Sequence, residues 1–552
     1  MGVYIQLNAL VEHITEQEWS AVYDEALDLL KSQNIMGIKQ NILEFENQHK
    51  VKRTFYSTDI EKNINDPDKQ HWDVVGDINS LLTAESFWMY RKNQCEEYEK
   101  PGKHVDIIEE LINEIEDKGS NFSSIFNNKT QGYPYHYSVL AVGMLLEDRF
   151  PKYAVVSGDI DRYQAIKSQK IIKDILNKDV QLPVVTEWEK LIDRIIKFRD
   201  GIDAIEAFSY IVRDDQRRDG KYRFQAIAKK FSKNDFHSWI VKSFNHYESP
   251  TQNGSLNICI DWLNAGFDIK TLTKLACVEK DGPQFKPDEF VKALVESLWV
   301  TTPMDKREQL DIFQKPKGEV DRVSSQFGMA MFEMMGGLKG RDLNIHIPEN
   351  QFLQELEKVF PDNMEQLSAI VSNPKNELEE NLSLVNEKMK QFKLEGDEIP
   401  EEISLVDGTE YFTLNEQDSL SEMQEYMLLS ISLLVNKLEE QIQSNDEISQ
   451  IFDLNSGIDQ LRFVLAKMTN EFGPMLTENA WNWIDQENDV QLLKTLCFLA
   501  VVNEREQKFY NTKKSIFEKR WLCKIVTDWS KDDDKLEPIR KMAQESMDEE
   551  QD

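Results

Sequence analysis

The chain begins with alternating apolar and polar positions. Val3, Ile5 and Leu7 alternate with a tyrosine and two polar residues, and this period of two predicts a strand with one buried face. Thr15-Glu16-Gln17-Glu18 then matches a capping box, in which two side chains satisfy amide groups at the start of a helix. The apolar positions after it recur at helical spacing. The sequence therefore predicts a strand followed by a helix.

Further strand and helix patterns continue this α/β start. Residues 51–57 and 87–90 are aromatic-rich, strand-like runs, and residues 105–116 carry apolar positions at helical spacing. We therefore expect an N-terminal α/β domain over residues 1–118. The Ser- and Asn-rich stretch 119–132 is polar, and it suggests a linker.

Residues 133–312 predict helices in series that are joined by short turns. No fixed period recurs among them, which favours an irregular helical array over a regular solenoid. The nine predicted helices cover residues 137–146, 164–176, 188–198, 204–212, 224–231, 236–244, 256–263, 269–276 and 287–300.

Residues 313–402 predict a mixed connector. A short strand at 343–347 and helices at 351–360 and 376–392 are expected within it. The connector ends in an acidic break at 396–402, where Gly, Pro and four carboxylates interrupt any helix.

Residues 403–552 predict a C-terminal helical domain. Its charged tail, residues 531–552, is expected to fray. The fold class is therefore mainly α: a small N-terminal α/β domain, an irregular multi-helical array and a C-terminal helical domain. The helices expected in the last domain cover residues 419–443, 457–472, 478–485, 490–502 and 513–527.

The charge balance narrows the classes of partner. The chain has 99 Asp and Glu residues against 65 Lys and Arg residues, for a formal net charge of −34. A field of this sign repels nucleic acids and anionic lipids, and it favours rapid, salt-sensitive capture of a cationic protein. We therefore expect a basic protein partner, with no nucleic acid and no membrane. The oligomeric state stays open.

Several features of the sequence indicate a cytoplasmic protein without a cofactor. The N-terminus lacks the basic and apolar regions of a secretory signal. No apolar run approaches the roughly 18 residues of a membrane helix. The cysteines are widely spaced and form no Cys-x-x-Cys pair, which argues against a disulfide framework and a structural zinc site. They are Cys95, Cys259, Cys277, Cys497 and Cys523.

The sharpest local pattern is an apolar run that ends in Gly158 and two carboxylates, Asp159 and Asp161. Carboxylates at the end of a strand can hold Mg²⁺ or Mn²⁺, so both are candidate metal ligands. The alternative is that one of them caps the helix that follows. His136, set among three tyrosines, is the candidate catalytic acid or base. The alternative for His136 is a packing role at a helix start.

One stretch, residues 213–242, is clearly basic and contains interleaved aromatic residues. Cations for phosphates and rings for base stacking are what a single-strand binder needs. The alternative, favoured by the acidic surroundings, is a solvated face whose rings turn to the core and whose cations pair within the chain, for example with residues 376–402. The candidate nucleic-acid-binding residues are Arg217, Arg218, Lys221, Arg223, Lys229 and Lys230.

Familiar catalytic motifs do not occur in the sequence. It has no Walker loop or dinucleotide-binding loop, and its histidines form no zinc-hydrolase motif. The sequence therefore favours an interaction protein over an enzyme: a scaffold, adaptor or immunity/inhibitor-like protein whose acidic helical surface binds a basic protein. The alternative is a metal-dependent enzyme that acts on a phosphate-containing small molecule through Asp159 and Asp161. No pattern identifies partner-binding residues.

Overall fold

The chain is mainly α-helical. The computed structural model describes residues 3–44, 50–93, 106–212, 220–304, 342–372, 414–444, 457–502 and 507–549 of the 552 residues. Within these ranges there are twenty α-helices and eight β-strands, and all eight strands precede residue 159. The expected fold class is confirmed at this level: mainly α, with a small sheet-containing region towards the N-terminus.

The strands and helices are numbered here in chain order. The strands are β1 (Tyr4–Ala9), β2 (Ile35–Glu44), β3 (Lys50–Ser57), β4 (Glu61–Lys62), β5 (His71–Asp77), β6 (Thr83–Tyr90), β7 (Ser123–Lys129) and β8 (Ala154–Gly158). The helices that begin before residue 300 are α1 (Glu16–Ser32), α2 (Ile107–Ile115), α3 (His136–Arg149), α4 (Arg162–Leu176), α5 (Trp188–Ile195), α6 (Gly201–Ile211), α7 (Gly220–Lys230), α8 (Lys233–Phe244), α9 (Asn253–Asn264), α10 (Ile269–Cys277) and α11 (Pro287–Lys292). The later helices are α12 (Glu349–Glu357), α13 (Met364–Ser372), α14 (Glu422–Gln443), α15 (Ile458–Phe472), α16 (Glu478–Gln486), α17 (Val490–Val501), α18 (Gln507–Glu518), α19 (Arg520–Trp529) and α20 (Asp533–Glu549).

The chain divides into two compact units, and each unit is discontinuous in sequence. The first unit consists of Met1–Leu29 and Tyr90–Ile403, and the second consists of Leu30–Met89 and Ser404–Asp552. Residues 1–118 thus contribute to both units. The finer domain boundaries drawn from the sequence stay predictions.

The first unit contains an antiparallel sheet in the order β7-β1-β8. β1 is central because its alternating pattern buries Ile5 and Leu7 on one face. β7 lies inside the stretch 119–132, so the expectation of a linker there is wrong. The strand is polar because it lies at the edge of the sheet, and its one buried side chain, Phe126, is opposite Leu7.

The nine helices expected between residues 137 and 300 all overlap observed helices. α5 packs on α6 and α7, α6 packs on α8, and α7 packs on α9. The last of the nine is shorter than expected. Pro287 takes the first position of α11, where its fixed φ suits a helix, and a π-helical turn, Ala293–Ser297, follows the helix.

The strand expected at residues 343–347 is wrong, because residues 343–348 adopt no regular secondary structure. The side chain of Asn264 forms hydrogen bonds with backbone groups that would otherwise pair with a neighbouring strand. Its Nδ2 donates to the Asp342 carbonyl at 2.8 Å, and its Oδ1 accepts from the Asn344 N–H at 2.7 Å. The pattern resembles a strand because Leu343 is buried, but it is buried from an irregular segment.

The second unit combines a sheet with a helical core. The sheet has the order β3-β2-β5-β4, and β6 also pairs with β5. β2 and β3 pair antiparallel from Gly37 opposite Ser57 to Glu44 opposite Lys50. Phe55 of β3 joins the apolar core that the C-terminal helices build. The largest apolar contributors to that core include Leu428, Leu465, Trp481, Leu493, Phe498 and Phe517.

Two expectations for the C-terminal segment are wrong. The single helix at 513–527 is in fact two helices, α18 and α19, with Lys519 between them. The tail expected to fray instead forms α20. Leu536 is fully buried and Ile539 is nearly so, and both pack against Leu433. A short apolar stripe is enough to hold this charged helix in place.

Two expected features lie outside the described residues: the helix at 376–392 and the acidic break at 396–402. Among the helices that the structure describes, none has the length and apolar character needed to cross a membrane.

Candidate functional site

His136 lies in the interior of the first unit, at the first position of α3, and has no exposed surface. Its Nδ1 is 2.7 Å from Thr130 Oγ1, and its Nε2 is 3.4 Å from Gln164 Oε1. Burial lowers the pKa of His136 to about 4, although the contact with Gln164 opposes this shift. The imidazole is therefore neutral at pH 7. It forms a buried polar bridge between the turn before α3 and the first turn of α4.

Asp159 and Asp161 follow β8 directly, and both hydrogen-bond to the backbone. The chain turns at Gly158, whose φ of +110° and close approach to the Tyr4 carbonyl leave no room for a side chain. Asp159 Oδ2 accepts from the Tyr4 N–H at 2.8 Å. Asp161 Oδ1 accepts from the Gln164 N–H at 2.7 Å, and the Gln164 side chain accepts from the Asp161 N–H at 3.0 Å. Asp161 and Gln164 thus form a capping box at the start of α4.

This arrangement can orient α4. Across the described ranges, no group of three or more His, Cys, Asp or Glu residues is placed to hold a metal ion. One oxygen of Asp159 and one oxygen of Asp161 each accept a hydrogen bond from a main-chain amide. A Mg²⁺ ion would need further ligands as well as these carboxylates.

Replacing Asp161 with alanine should lower the free energy of unfolding by about 1 kcal/mol, because the first turn of α4 loses its capping acceptor. Urea denaturation, together with amide hydrogen exchange in α4, measures the effect. Asp161→Asn keeps an acceptor oxygen, so we expect it to lose at most half as much stability. Equal losses in the two variants would mean that Asp161 contributes something other than the cap.

Within the basic stretch, Arg223 forms an ion pair that is largely shielded from solvent. The Arg223 side chain is 11% exposed and lies 3.0 Å from an oxygen of Asp261, which is 13% exposed. The ion pair therefore connects α7 to α9 below the surface. Two other candidates for nucleic-acid binding, Arg217 and Arg218, lie outside the described residues.

Two lysines of the stretch, Lys229 and Lys230, form salt bridges within the first unit. Lys229 Nζ is 2.7 Å from Glu189, and Lys230 Nζ is 2.6 Å from Asp193. Both acids lie on α5, so two salt bridges link α7 to that helix. Lys221 Nζ lies 4.5 Å from the centroid of the Tyr222 ring. The two salt bridges reduce the charge that Lys229 and Lys230 present to a phosphate backbone.

Three rings of the stretch pack into the core. Phe224 is fully buried, and its ring centroid lies 5.7 Å from that of Phe236 and 5.5 Å from that of Trp239. Rings that stack on nucleotide bases need exposed faces. The geometry of these three rings therefore fits the alternative, in which the aromatic residues of the stretch turn inward.

Most of the acidic side chains in the described part of the chain lie at the surface. If every Lys and Arg residue neutralised one acid, 99 − 65 = 34 acidic residues would still be left over. Within the described ranges only five acidic residues are buried, so the large majority of the described carboxylates are in contact with solvent. The buried ones are Asp77, Glu110, Glu147, Asp161 and Glu487.

Sequence reasoning missed Glu147, a buried carboxyl group at the end of α3. Its Oε2 accepts from the Val156 N–H at 2.9 Å, and its Oε1 accepts from the Val184 N–H at 2.6 Å. Burial raises the pKa of Glu147 to about 7, against these two hydrogen bonds and the charge of Arg194. The available signal was a glutamate directly after the apolar run of the helix predicted over residues 137–146. Glu147 joins α3 to β8 and to the turn Val184–Thr186.

The site residues taken from the sequence therefore do not form one cleft. Asp159, Asp161 and His136 surround the junction of β1, β8 and α4. The basic residues Arg223, Lys229 and Lys230 instead lie on α7 and pair with acids of α9 and α5. Comparisons of the chain with models of known protein families, with curated proteins and with solved structures found no match.

Proposed function

We propose that this chain is a cytoplasmic interaction protein that binds a basic protein partner through the acidic surface of its helices. The observation that carries the proposal is the surplus of 34 acidic residues combined with the small number of buried carboxylates in the described ranges. Uncompensated charge at a surface extends a negative potential into solvent. That potential raises the rate at which a cationic partner is captured.

The local ion pairs support the same conclusion. Arg223, Lys229 and Lys230 form ion pairs with acids of the first unit. These three cations therefore add little positive potential to the negative surroundings. A scaffold, an adaptor or an immunity/inhibitor-like protein would all use such a surface. An inhibitor of a basic toxin or nuclease would gain most, because it has to bind quickly.

Affinity capture followed by kinetics with the purified partner tests the proposal. The full chain is immobilised and exposed to a lysate of its own host, beside an unrelated protein of equal net charge. We expect a basic protein that only the chain retains at low salt. The association rate constant of the purified pair should fall at least about tenfold as the salt concentration rises from about 50 to 300 mM.

Two variants with the same change of charge would locate the interface. Glu279→Gln/Asp281→Asn removes two exposed charges from the first unit, and Glu422→Gln/Glu425→Gln removes two from the second. We expect the pair that lies nearer the interface to lower the association rate more. The proposal is contradicted if the chain retains no basic protein beyond those on the control, or if association does not respond to salt.

The metal-dependent enzyme stays an alternative hypothesis. It is tested by measuring the melting temperature with and without Mg²⁺ or Mn²⁺ in wild type and in Asp159→Ala. A rise in wild type that is absent from the variant would favour the enzyme. Equal behaviour of the two proteins would count against it.

A further inference from the structure

The outer edge of β2, in the second unit, carries no neighbouring strand over part of its length. Among the described residues, β2 pairs with β5 only at Ile35 and Met36, whereas its pairing with β3 continues in unbroken register to Glu44. Residues 39–44 therefore form a sheet edge, which is about as long as an average strand.

Alternate residues of this edge direct their backbone N–H and C=O groups away from β3. On the far side of β3, the Thr54 N–H donates to Asn470 Oδ1 at 3.4 Å. Thr54 is opposite Gln40, and two residues opposite each other in an antiparallel pair either both bond inwards or both point outwards. Gln40, Ile42 and Glu44 therefore point outwards. No described residue forms a hydrogen bond with their backbone groups on that side.

The side chains of these three residues lie on the exposed face of the β2–β3 hairpin. Ile42 is 67% exposed, and Gln40 and Glu44 are exposed as well. The other face packs against the core of the C-terminal helices through Leu43 and Val51. An edge with free backbone groups and an exposed apolar side chain is a template for one more strand.

The charges near this edge are largely balanced within the second unit. Lys39 forms an ion pair with Asp59, and Lys50 forms one with Glu44. The edge thus differs from the chain as a whole, whose net charge is −34. A second copy of the chain meets mainly long-range repulsion as it approaches the edge, and salt screens that repulsion.

We propose that the outer edge of β2 pairs antiparallel with the same edge of a second copy of this chain. The two-fold axis passes at Ile42, so this side chain lies opposite Ile42 of the second copy. Gln40 then lies opposite Glu44 of the second copy, where its amide can donate to the carboxylate. About six backbone hydrogen bonds join the two edges in this register, and the contact is isologous.

The register follows from the residues that are free to pair. A two-fold axis at Asn41 would place Glu44 opposite Ile38 of the second copy, but the Ile38 carbonyl already accepts from Lys62 Nζ. An axis at Leu43 would place Ile42 opposite Glu44 and lose the apolar contact. An axis at Ile42 avoids both faults. This dimer does not depend on the proposed function, which concerns a basic partner.

Sedimentation velocity of the full chain at about 5 to 300 µM tests the proposal. We expect a monomer–dimer equilibrium with a dissociation constant on the order of 100 µM, because the interface is small. The dimer should become at least about threefold tighter as the salt concentration rises from about 50 to 300 mM. This response is opposite in sign to that expected for capture of a basic protein, so the two proposals can fail separately.

Three variants assign the dimer to this edge and register. Ile42→Pro removes an N–H that points away from β3, so it should abolish the dimer and keep the hairpin. Gln40→Lys places an ammonium opposite each Glu44 of the other copy and should tighten the dimer about fivefold. Ile64→Lys adds the same charge at a side chain that is 62% exposed elsewhere in the second unit, and it should change the affinity less than about twofold.

Three results would overturn the proposal. They are a chain that stays monomeric up to about 300 µM at both salt concentrations, equal affinity of wild type and Ile42→Pro, and equal effects of Gln40→Lys and Ile64→Lys. The last result would mean that net charge, and not this register, governs association. Circular dichroism checks the fold of each variant. If Ile42→Pro does not fold, Ile42→Lys replaces it and should also abolish the dimer, because it sets two ammonium groups opposite each other.

Discussion

Replacing Arg223 with alanine is expected to lower the free energy of unfolding of the first unit by about 3 kcal/mol. The loss arises because Asp261, only 13% exposed, would keep its charge but lose the guanidinium with which it forms an ion pair. Breaking a buried ion pair from one side costs about 3 to 5 kcal/mol, and the slight exposure of this pair places the expectation at the lower end. Urea denaturation of wild type and variant measures the difference.

The matched control is Lys229→Ala, which removes a cation from the same helix. Its salt bridge with Glu189 is 63% and 52% exposed at the two side chains, so a change of at most about 0.5 kcal/mol is expected. The double variant Arg223→Ala/Asp261→Ala should recover part of the lost stability, since no isolated charge is then buried. An Arg223→Ala protein that is as stable as wild type but binds single-stranded nucleic acid less tightly would favour the nucleic-acid hypothesis instead.

Stability of the first unit should decline as the pH rises from about 5 to 7, and Glu147 should account for much of the decline. Burial raises the pKa of Glu147 from 4.5 to about 7, so near pH 6 the folded chain holds a proton that the unfolded chain releases. The stabilisation is complete below pH 4.5 and is lost as the pH passes through 7. A shift of this size corresponds to about 3 kcal/mol.

Glu147→Gln is the variant that tests this dependence, because glutamine does not titrate. Its stability should change less with pH than that of wild type, whatever constant offset the altered hydrogen bonds to Val156 and Val184 produce. Urea denaturation between pH 5 and pH 8 gives both curves. Glu189→Gln, an exposed change on α5, controls for the loss of one negative charge. Parallel curves for wild type and Glu147→Gln would contradict the expectation.

Local patterns predicted most of the secondary structure. The capping box at Thr15 is present, with Thr15 Oγ1 accepting from the Glu18 N–H at 3.3 Å, and the helical periods of the middle of the chain correspond to α3 to α11. These signals succeed because a helix draws its hydrogen bonds and its apolar face from neighbouring residues. β7 was missed because a polar edge strand depends on a partner far away in sequence.

The candidate site was harder to predict, since its residues could be named but not their surroundings. Asp161 would follow a strand whether it is a metal ligand or a helix cap. Only the geometry shows that its Oδ1 accepts from the Gln164 N–H. His136 has the residue type of a catalytic base, but burial depends on the packing of α3 against α4 and β8. The ion pair of Arg223 with Asp261 cannot be deduced without knowing that α7 and α9 are adjacent.

Because the two units alternate along the sequence, the second unit can complete its core only late in synthesis on the ribosome. Leu30–Met89 emerges early, but the rest of its unit begins only at Ser404. Its strands therefore wait for more than half of the polypeptide to be made before their apolar partners appear, and they are exposed to aggregation in that interval. A fragment cut at residue 118 would contain an incomplete part of each unit, so expression of that piece alone is expected to yield insoluble protein.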